Sequence, residues 1–294
     1  MRIQDEAPLT LVAIVRGEAW LMTDDGDERA LGPGDVAIIK GPDPYTIADD
    51  PATPPQVVIH PGQRCTTPDG AELKLMKDLG VRTWGNSPNG STVMLVGTYQ
   101  MAGEISRRLL NALPVRLVLP RDAWESPLIP LLDDEIVKDE PGQEAVLDRL
   151  LDLLLIAVLR AWFARPEGRA PAWYRAHSDP VVGPALRLMH NDPAHPWRVA
   201  ELAARAGLSR AAFARRFTEL VGQSPMGFLT EWRLALAADL LLEPGATVGS
   251  VAQQVGYGSP FALSAAFKRV RGMSPREHRM ATAAPAGDGY SRAG

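Results

Sequence analysis

The C-terminal third of this chain carries one segment twice, about fifty residues apart, and that doubling constrains its fold more than any other feature. Val199-Ala200-Glu201-Leu202-Ala203-Ala204-Arg205-Ala206-Gly207 corresponds to Val248-Gly249-Ser250-Val251-Ala252-Gln253-Gln254-Val255-Gly256. The turn is one residue longer in the second copy; after it, Ser209, Phe217, Gly222, Ser224 and Pro225 match Ser259, Phe267, Gly272, Ser274 and Pro275. Each copy has the parts of a helix-turn-helix. A short helix carrying alanine, where two backbones must approach, ends at a glycine able to take the left-handed conformation of a tight turn. Leu208 or Tyr257 follows, and then a serine that can accept the free backbone N–H groups of the next helix. That next helix is the natural element for the major groove of DNA. Between the copies, Leu229, Trp232, Leu236 and Leu240, with Ala235 and Ala237, suit a linking helix over Met226 to Leu242. Two readers on one such helix could reach major-groove segments about one turn apart.

The run Gly207-Leu208-Ser209-Arg210-Ala211-Ala212-Phe213-Ala214-Arg215-Arg216-Phe217, followed by Gly222-Gln223-Ser224-Pro225, resembles the AraC/XylS family of bacterial transcription regulators. So do Val255-Gly256-Tyr257-Gly258-Ser259, Phe267-Lys268-Arg269 and Gly272-Met273-Ser274-Pro275-Arg276-Glu277. In the first copy the recognition helix is expected from Arg210 to about Val221. Phe213, Phe217 and Leu220 fall on its buried face; Arg210, Ala211, Ala214, Arg215 and Thr218 face outward. The resemblance implies that Arg215 stands where the family's arginine contacts bases, a task suited to a fork that bonds both acceptors of a guanine. Arg210 and Arg216 read as phosphate contacts, which position a protein without specifying sequence. For all three the alternative is a solvated surface charge. The second copy departs from the family pattern, with Ala265 where an arginine is frequent. A methyl cannot hydrogen-bond a base edge, although it can touch a thymine methyl. Ser259, Phe261, Ser264 and the cations Lys268, Arg269 and Arg271 remain as DNA contacts there. The first copy is therefore expected to carry more base specificity, and the second to bind largely through phosphates and shape.

Charge follows the same division. The chain is net −4, yet His177 to Arg279 holds 12 Lys and Arg against 8 Asp and Glu, leaving 19 against 27 elsewhere. A basic third joined to an acidic body suggests a nucleic-acid module on a regulatory or catalytic one, although a solvated face would look the same. With 46% hydrophobic residues there is ample material for packed cores. The single cysteine excludes an internal disulfide and a multi-cysteine zinc site. The longest apolar run, Leu153 to Leu159, stops at Arg160, short of a bilayer span, and the start of the chain is acidic where a signal peptide is basic. The expected location is cytoplasmic, on the nucleoid when DNA-bound, with no membrane partner.

Up to about Gln143 the chain reads as short β-rich runs between Gly, Pro and Asp clusters, among them Leu11 to Val15, Val36 to Ile39, Val57 to Ile59, Val93 to Val96 and Val115 to Leu119. Gly17-Glu18-Ala19-Trp20-Leu21, then Leu31-Gly32-Pro33-Gly34-Asp35-Val36-Ala37-Ile38-Ile39-Lys40-Gly41-Pro42, resembles the first half of a cupin barrel. Enzymatic cupins hold a metal with clustered His and Glu. Only His60 of the five histidines lies in this region, and Tyr45 stands where a ligand His often follows the Gly-Pro turn, so no metal or other cofactor is expected. Trp20, Tyr45, Trp84 and Met94 are candidates to line an effector pocket, each with ordinary core or rim as the alternative. Cys65 follows Arg64, which would favour its thiolate, so a redox role is open beside an incidental one.

The resulting reading is an α+β multidomain protein. Residues 1–142 form a cupin-like β-barrel sensor, 143–164 a helical dimerisation segment, 165–179 a linker, 180–280 an all-α domain with two helix-turn-helix units, and 281–294 a disordered tail. Within 143–164, Val146, Leu147, Leu150, Leu151, Leu154, Val158 and Leu159 follow helical spacing. Leu153, Leu155, Ile156 and Trp162 widen the stripe beyond one face, as for a helix packed against both its own domain and a second subunit, with a helix buried within its own domain as the alternative. The expected function is an effector-responsive, sequence-specific transcription regulator and not an enzyme. Its partners would be double-stranded DNA, a second copy of the chain, an unidentified small molecule and RNA polymerase. The rivals are an architectural DNA binder without a ligand and a cupin enzyme fused to a DNA module.

Overall fold

The computed structural model describes residues 1–73, 77–80, 83–85, 90–100, 103–124, 126–138, 140–168 and 170–283. They fall into two compact units, one from Met1–Met101 and Leu113–Arg169, the other from Ala102–Ala112 and Ala170–Gly289. The expected tail at 281–294 lies outside the described residues from 284 onward.

The first unit is β-rich. Its strands are β1 (Arg2–Ile3), β2 (Leu9–Arg16), β3 (Ala19–Thr23), β4 (Glu28–Leu31), β5 (Val36–Lys40), β6 (Tyr45–Ala48), β7 (Val58–Ile59), β8 (Cys65–Thr66), β9 (Lys77–Gly80), β10 (Thr83–Gly85), β11 (Val93–Tyr99) and β12 (Arg116–Leu119). A six-stranded sheet runs β4-β3-β6-β1-β7-β8 and a four-stranded sheet β11-β2-β5-β12, with β9 and β10 paired separately. The two larger sheets share one core: Val12, Ile14, Ala37 and Ile39 from the second meet Ile3, Leu21, Leu31, Tyr45 and Ile47 from the first. Side chains alternate across a strand, so Leu9, Leu11 and Ala13 of β2 point the other way. They too are buried, on the side where a helix packs on β2. The Gly32-Pro33-Gly34-Asp35 turn is held by its aspartate, whose carboxylate accepts from the backbone N–H of Gly32 and of Arg121, both at 2.8 Å.

Helices α1 (Glu104–Leu110), α2 (Leu128–Ile136) and α3 (Gln143–Ala164) lie within or after the strands. α2 packs on α3, whose Leu147, Leu154, Leu155, Val158, Leu159 and Phe163 are buried. α1 belongs to the second unit. It packs on the long helix described below, with Arg108 3.5 Å from Glu231. This short piece of the expected 1–142 domain is a seven-residue helix, too short to stand without a neighbour.

The second unit is all helical: α4 (Ala172–Ala176), α5 (Val182–Asn191), α6 (Val199–Arg205), α7 (Arg210–Val221), α8 (Pro225–Leu240), α9 (Val248–Gln254), α10 (Pro260–Arg271) and α11 (Pro275–Ala283). The expected linker at 165–179 differs from this in part. Pro166–Gly168 forms a 3₁₀ turn, and α4 places Ala176 in a core cluster with Trp173 packed against it. Proline and glycine there interrupt helices without freeing the chain, because Ala170 and Ala176 are buried and half-buried Trp173 packs on the core.

Candidate nucleic-acid interface

The two repeat copies fold alike. In the first, α6 ends before Gly207, whose φ of +68° is left-handed, and Leu208 N–H donates to Ala203 O at 3.0 Å. In the second, α9 ends before Gly256 at φ +79°, and Tyr257 N–H donates to Ala252 O at 2.8 Å. Ala203 and Ala252 are both buried, so the small side chain sits where each turn closes. Ser209 and Ser259 then cap α7 and α10, accepting from Ala212 N–H and Ala262 N–H at 3.2 Å. Thr247 and Ser250 make a reciprocal capping box at the start of α9. The hydroxyl of Ser259, expected to contact DNA, thus already serves its own helix.

Helix α8 joins the copies. Phe228 and Leu229 from its first half enter the core with Phe213 and Phe217, while Leu234, Ala237 and Ala238 from its second half enter the core with Leu263, Ala266 and Phe267. One continuous helix spanning two cores fixes the two readers relative to each other. On α7 the buried positions are Phe213, Phe217 and Val221; Leu220, expected inside, is 37% exposed. A strict four-residue spacing carries the buried stripe to Val221 instead.

The outward stripes hold most of the predicted contacts. Arg210, Ala211 and Arg215 are exposed and Ala214 half-buried. Arg215 lies 3.9 Å from Glu219 one turn on, an exposed pair too weak to withhold the guanidinium from a stronger acceptor. On α10, Phe261, Lys268 and Arg269 are exposed and Ser264 half-buried.

Arg216 differs. Its Nη2 donates to Asp179 Oδ2 at 2.7 Å, so the guanidinium expected on a phosphate is held inside the unit. Asp179 Oδ1 also accepts from the backbone N–H groups of Val181 and Val182 at the start of α5. The Arg216 hydrogen bond, with these backbone donors, holds the Asp179 carboxyl down at about 2. A carboxylate depressed in the folded state adds stability that is present above its ordinary value and lost as pH falls toward 2. Asp179→Ala should therefore lower the stability of this unit by about 1–2 kcal/mol at neutral pH. The difference from wild type should shrink between pH 4 and 2, measured by urea unfolding across that range.

Of the N-terminal candidates, Tyr45 and Met94 share one core and Trp20 stands apart from it. Tyr45 is buried in the inter-sheet core, its hydroxyl pushed up by desolvation and bonded to Thr10, and Met94 packs against the same core. Trp20 lies between buried Ala19 and Leu21 on β3, so its ring stands on the outer face of the sheet. The parity of that strand already carried this signal. The side chain of Trp84 lies outside the described residues. A cleft of about 220 Å³ opens on the outer face, lined by Arg2, Met22, Thr46 and the 51–55 loop. Burial pushes the Cys65 thiol up, contrary to the thiolate expected beside Arg64. Among the described residues no group of three His, Cys, Asp or Glu is placed to hold a metal ion. Among them, too, no helix is long and apolar enough to cross a membrane.

Comparison with known proteins covers both units. A cupin family model matches residues 1–164, and a helix-turn-helix domain model matches residues 202–281. A Streptomyces lividans protein described as an AraC-like transcription regulator is 34% identical over 273 residues, covering 91% of this chain and 85% of its own. The HTH-type transcriptional regulator AlkR of Acinetobacter baylyi is 25% identical over 283 residues, covering 90% and 86%. Among solved structures, the DNA-binding domain of AdpA in complex with a target DNA is 36% identical. It covers 37% of this chain and 100% of its own, with a TM-score of 0.35.

Proposed function

Because this chain belongs to the AraC family of transcription regulators, with a helix-turn-helix DNA-binding domain and an N-terminal cupin domain, we propose that it binds a repeated promoter sequence as a homodimer. Its relatives are named as transcription regulators, and double-stranded DNA is the partner of such a domain. The observation that carries the reading is the pair of recognition helices, each with exposed cations, braced on α8.

Arg215 reads a guanine with its exposed fork, and Arg210 contacts phosphate. Lys268 and Arg269 do the same from α10, beside Ser264. A small molecule acting on the cupin domain shifts the population of states that fit a given operator spacing, and RNA polymerase receives the result. The protein works in the cytoplasm, on the nucleoid, and no enzymatic reaction is assigned to it.

The test is selection of genomic DNA fragments by the full-length protein and by Arg215→Ala. Wild type should recover a repeated motif, and the variant should lose preference at one base position in each half-site. Loss of one bidentate pair weakens binding to the motif by about tenfold or more. Binding without any motif would favour the architectural alternative and sink this reading.

A further inference from the structure

We propose that the second helix-turn-helix reads the C5-methyl groups of thymines in its segment of each half-site, through Phe261. The inference rests on the DNA-reading function above and adds what α10 reads. The two recognition helices correspond at an offset of fifty residues, as Ser209 and Phe217 match Ser259 and Phe267. Ala211, Ala214, Arg215, Thr218 and Glu219 on α7 therefore match Phe261, Ser264, Ala265, Lys268 and Arg269 on α10. The bulk has changed places: the first helix is small at 211 and carries its long side chain at 215, whereas the second carries an aromatic ring at 261 and is small at 265.

The ring is not part of the fold's interior. Phe261 is 85% exposed, the most exposed of the large apolar side chains among the described residues. The core beneath it is closed by Leu263, Ala266 and Phe267 on the opposite face of the helix. Pro260 in the first turn and the Ser259 cap fix the backbone that presents it. Exposed Ala262 and Ala265 extend the apolar surface, and Ser264 is the only side chain of the first two turns with a hydrogen-bonding group on that stripe.

Apart from the Ser264 hydroxyl, such a surface cannot read the donors and acceptors of a base edge. The apolar group that the major groove offers is the thymine C5-methyl. Lys268 and Arg269 stand further along the same stripe, where they can engage the phosphates and seat the apolar end in the groove. The same geometry predicts that a methylated cytosine can stand in for a thymine methyl.

The full-length protein and the duplex recovered by selection provide the test. Within each half-site the position relaxed by Arg215→Ala marks the segment under the first reader, so the segment about one helical turn away lies under α10. Each thymine there is replaced by deoxyuridine, which removes the methyl and keeps the pairing. Wild type should bind about fourfold more weakly for each contacted methyl removed. Phe261→Ala should bind the two duplexes equally, with the thermal midpoint of wild type, and Phe261→Leu should keep part of the discrimination. Equal binding of both duplexes by wild type, with Arg215→Ala still relaxing its position in each half-site, overturns methyl reading and leaves the regulator intact. A Phe261→Ala protein that still discriminates, or that loses thermal stability, overturns the assignment to this residue. Recovery of no motif fails both readings together.

Discussion

Gly256→Ala is expected to destabilise the DNA-binding unit by roughly 3 kcal/mol, and the equivalent Gly207→Ala by only about 1 kcal/mol. Both glycines are left-handed, so each alanine pays for that conformation alike. Their surroundings differ. A Cβ on Gly207 meets nothing within 4 Å, whereas one on Gly256 falls 2.6 Å from the carbonyl oxygen of Ala194 and 2.7 Å from its Cα. Those are backbone atoms and cannot rotate aside. They are also pinned, because Arg233 of α8 donates to the carbonyls of Pro193 and His195 at 2.7 and 2.8 Å, on either side of Ala194. The segment before α6 thus braces the turn of the second reader. Urea midpoints of the two variants, with unchanged slopes, would measure the difference. Equal midpoints would mean that the Ala194 segment yields, and that the brace does not hold the two readers together.

That contrast marks where sequence suffices. Gly207 and Gly256 are equivalent in the repeat, and their turn role, the serine caps and the alternating core of the recognition helices follow from local rules of conformation and spacing. What distinguishes them is a contact with a residue sixty-two positions away from one of them. The same limit governs Arg216. Its place on α7 suggests a surface cation, and only folding brings Asp179 to it across 37 residues. Trp20 is the opposite case, since strand parity alone assigns it to the face away from Leu21. The 165–179 segment misleads because proline and glycine mark ends of helices as readily as free linkers. Its burial depends on Trp173 and Ala176 finding partners in α5 to α8, which no local pattern encodes.

Leu153→Asp is expected to convert a dimer to a monomer and to weaken binding to a two-half operator by about a hundredfold or more, while an isolated half-site is bound as before. The argument begins with α3, which is apolar on more faces than its own unit covers. Leu147, Leu154, Leu155, Val158 and Leu159 are buried against that unit. Val146, Leu153 and Ile156 remain 44–51% exposed, with half-buried Leu150 and Ala157 between them. Positions 146, 150, 153 and 157 alternate by four and three residues, the spacing that keeps a seam facing a second helix. Arg149 and Asp152 pair at 3.0 Å along the same stretch, a charged border of the kind that limits such seams to one register. An aspartate at the centre of the seam must be desolvated in the dimer and stays hydrated in the monomer, so it acts on association and leaves the fold intact. Sedimentation equilibrium of wild type and variant gives the mass directly, and titration of one-half and two-half duplexes gives the linked loss. A variant that stays dimeric would place the interface elsewhere. A monomer that bound both duplexes as wild type does would show that the two readers on α8, and not a second subunit, span the repeated operator.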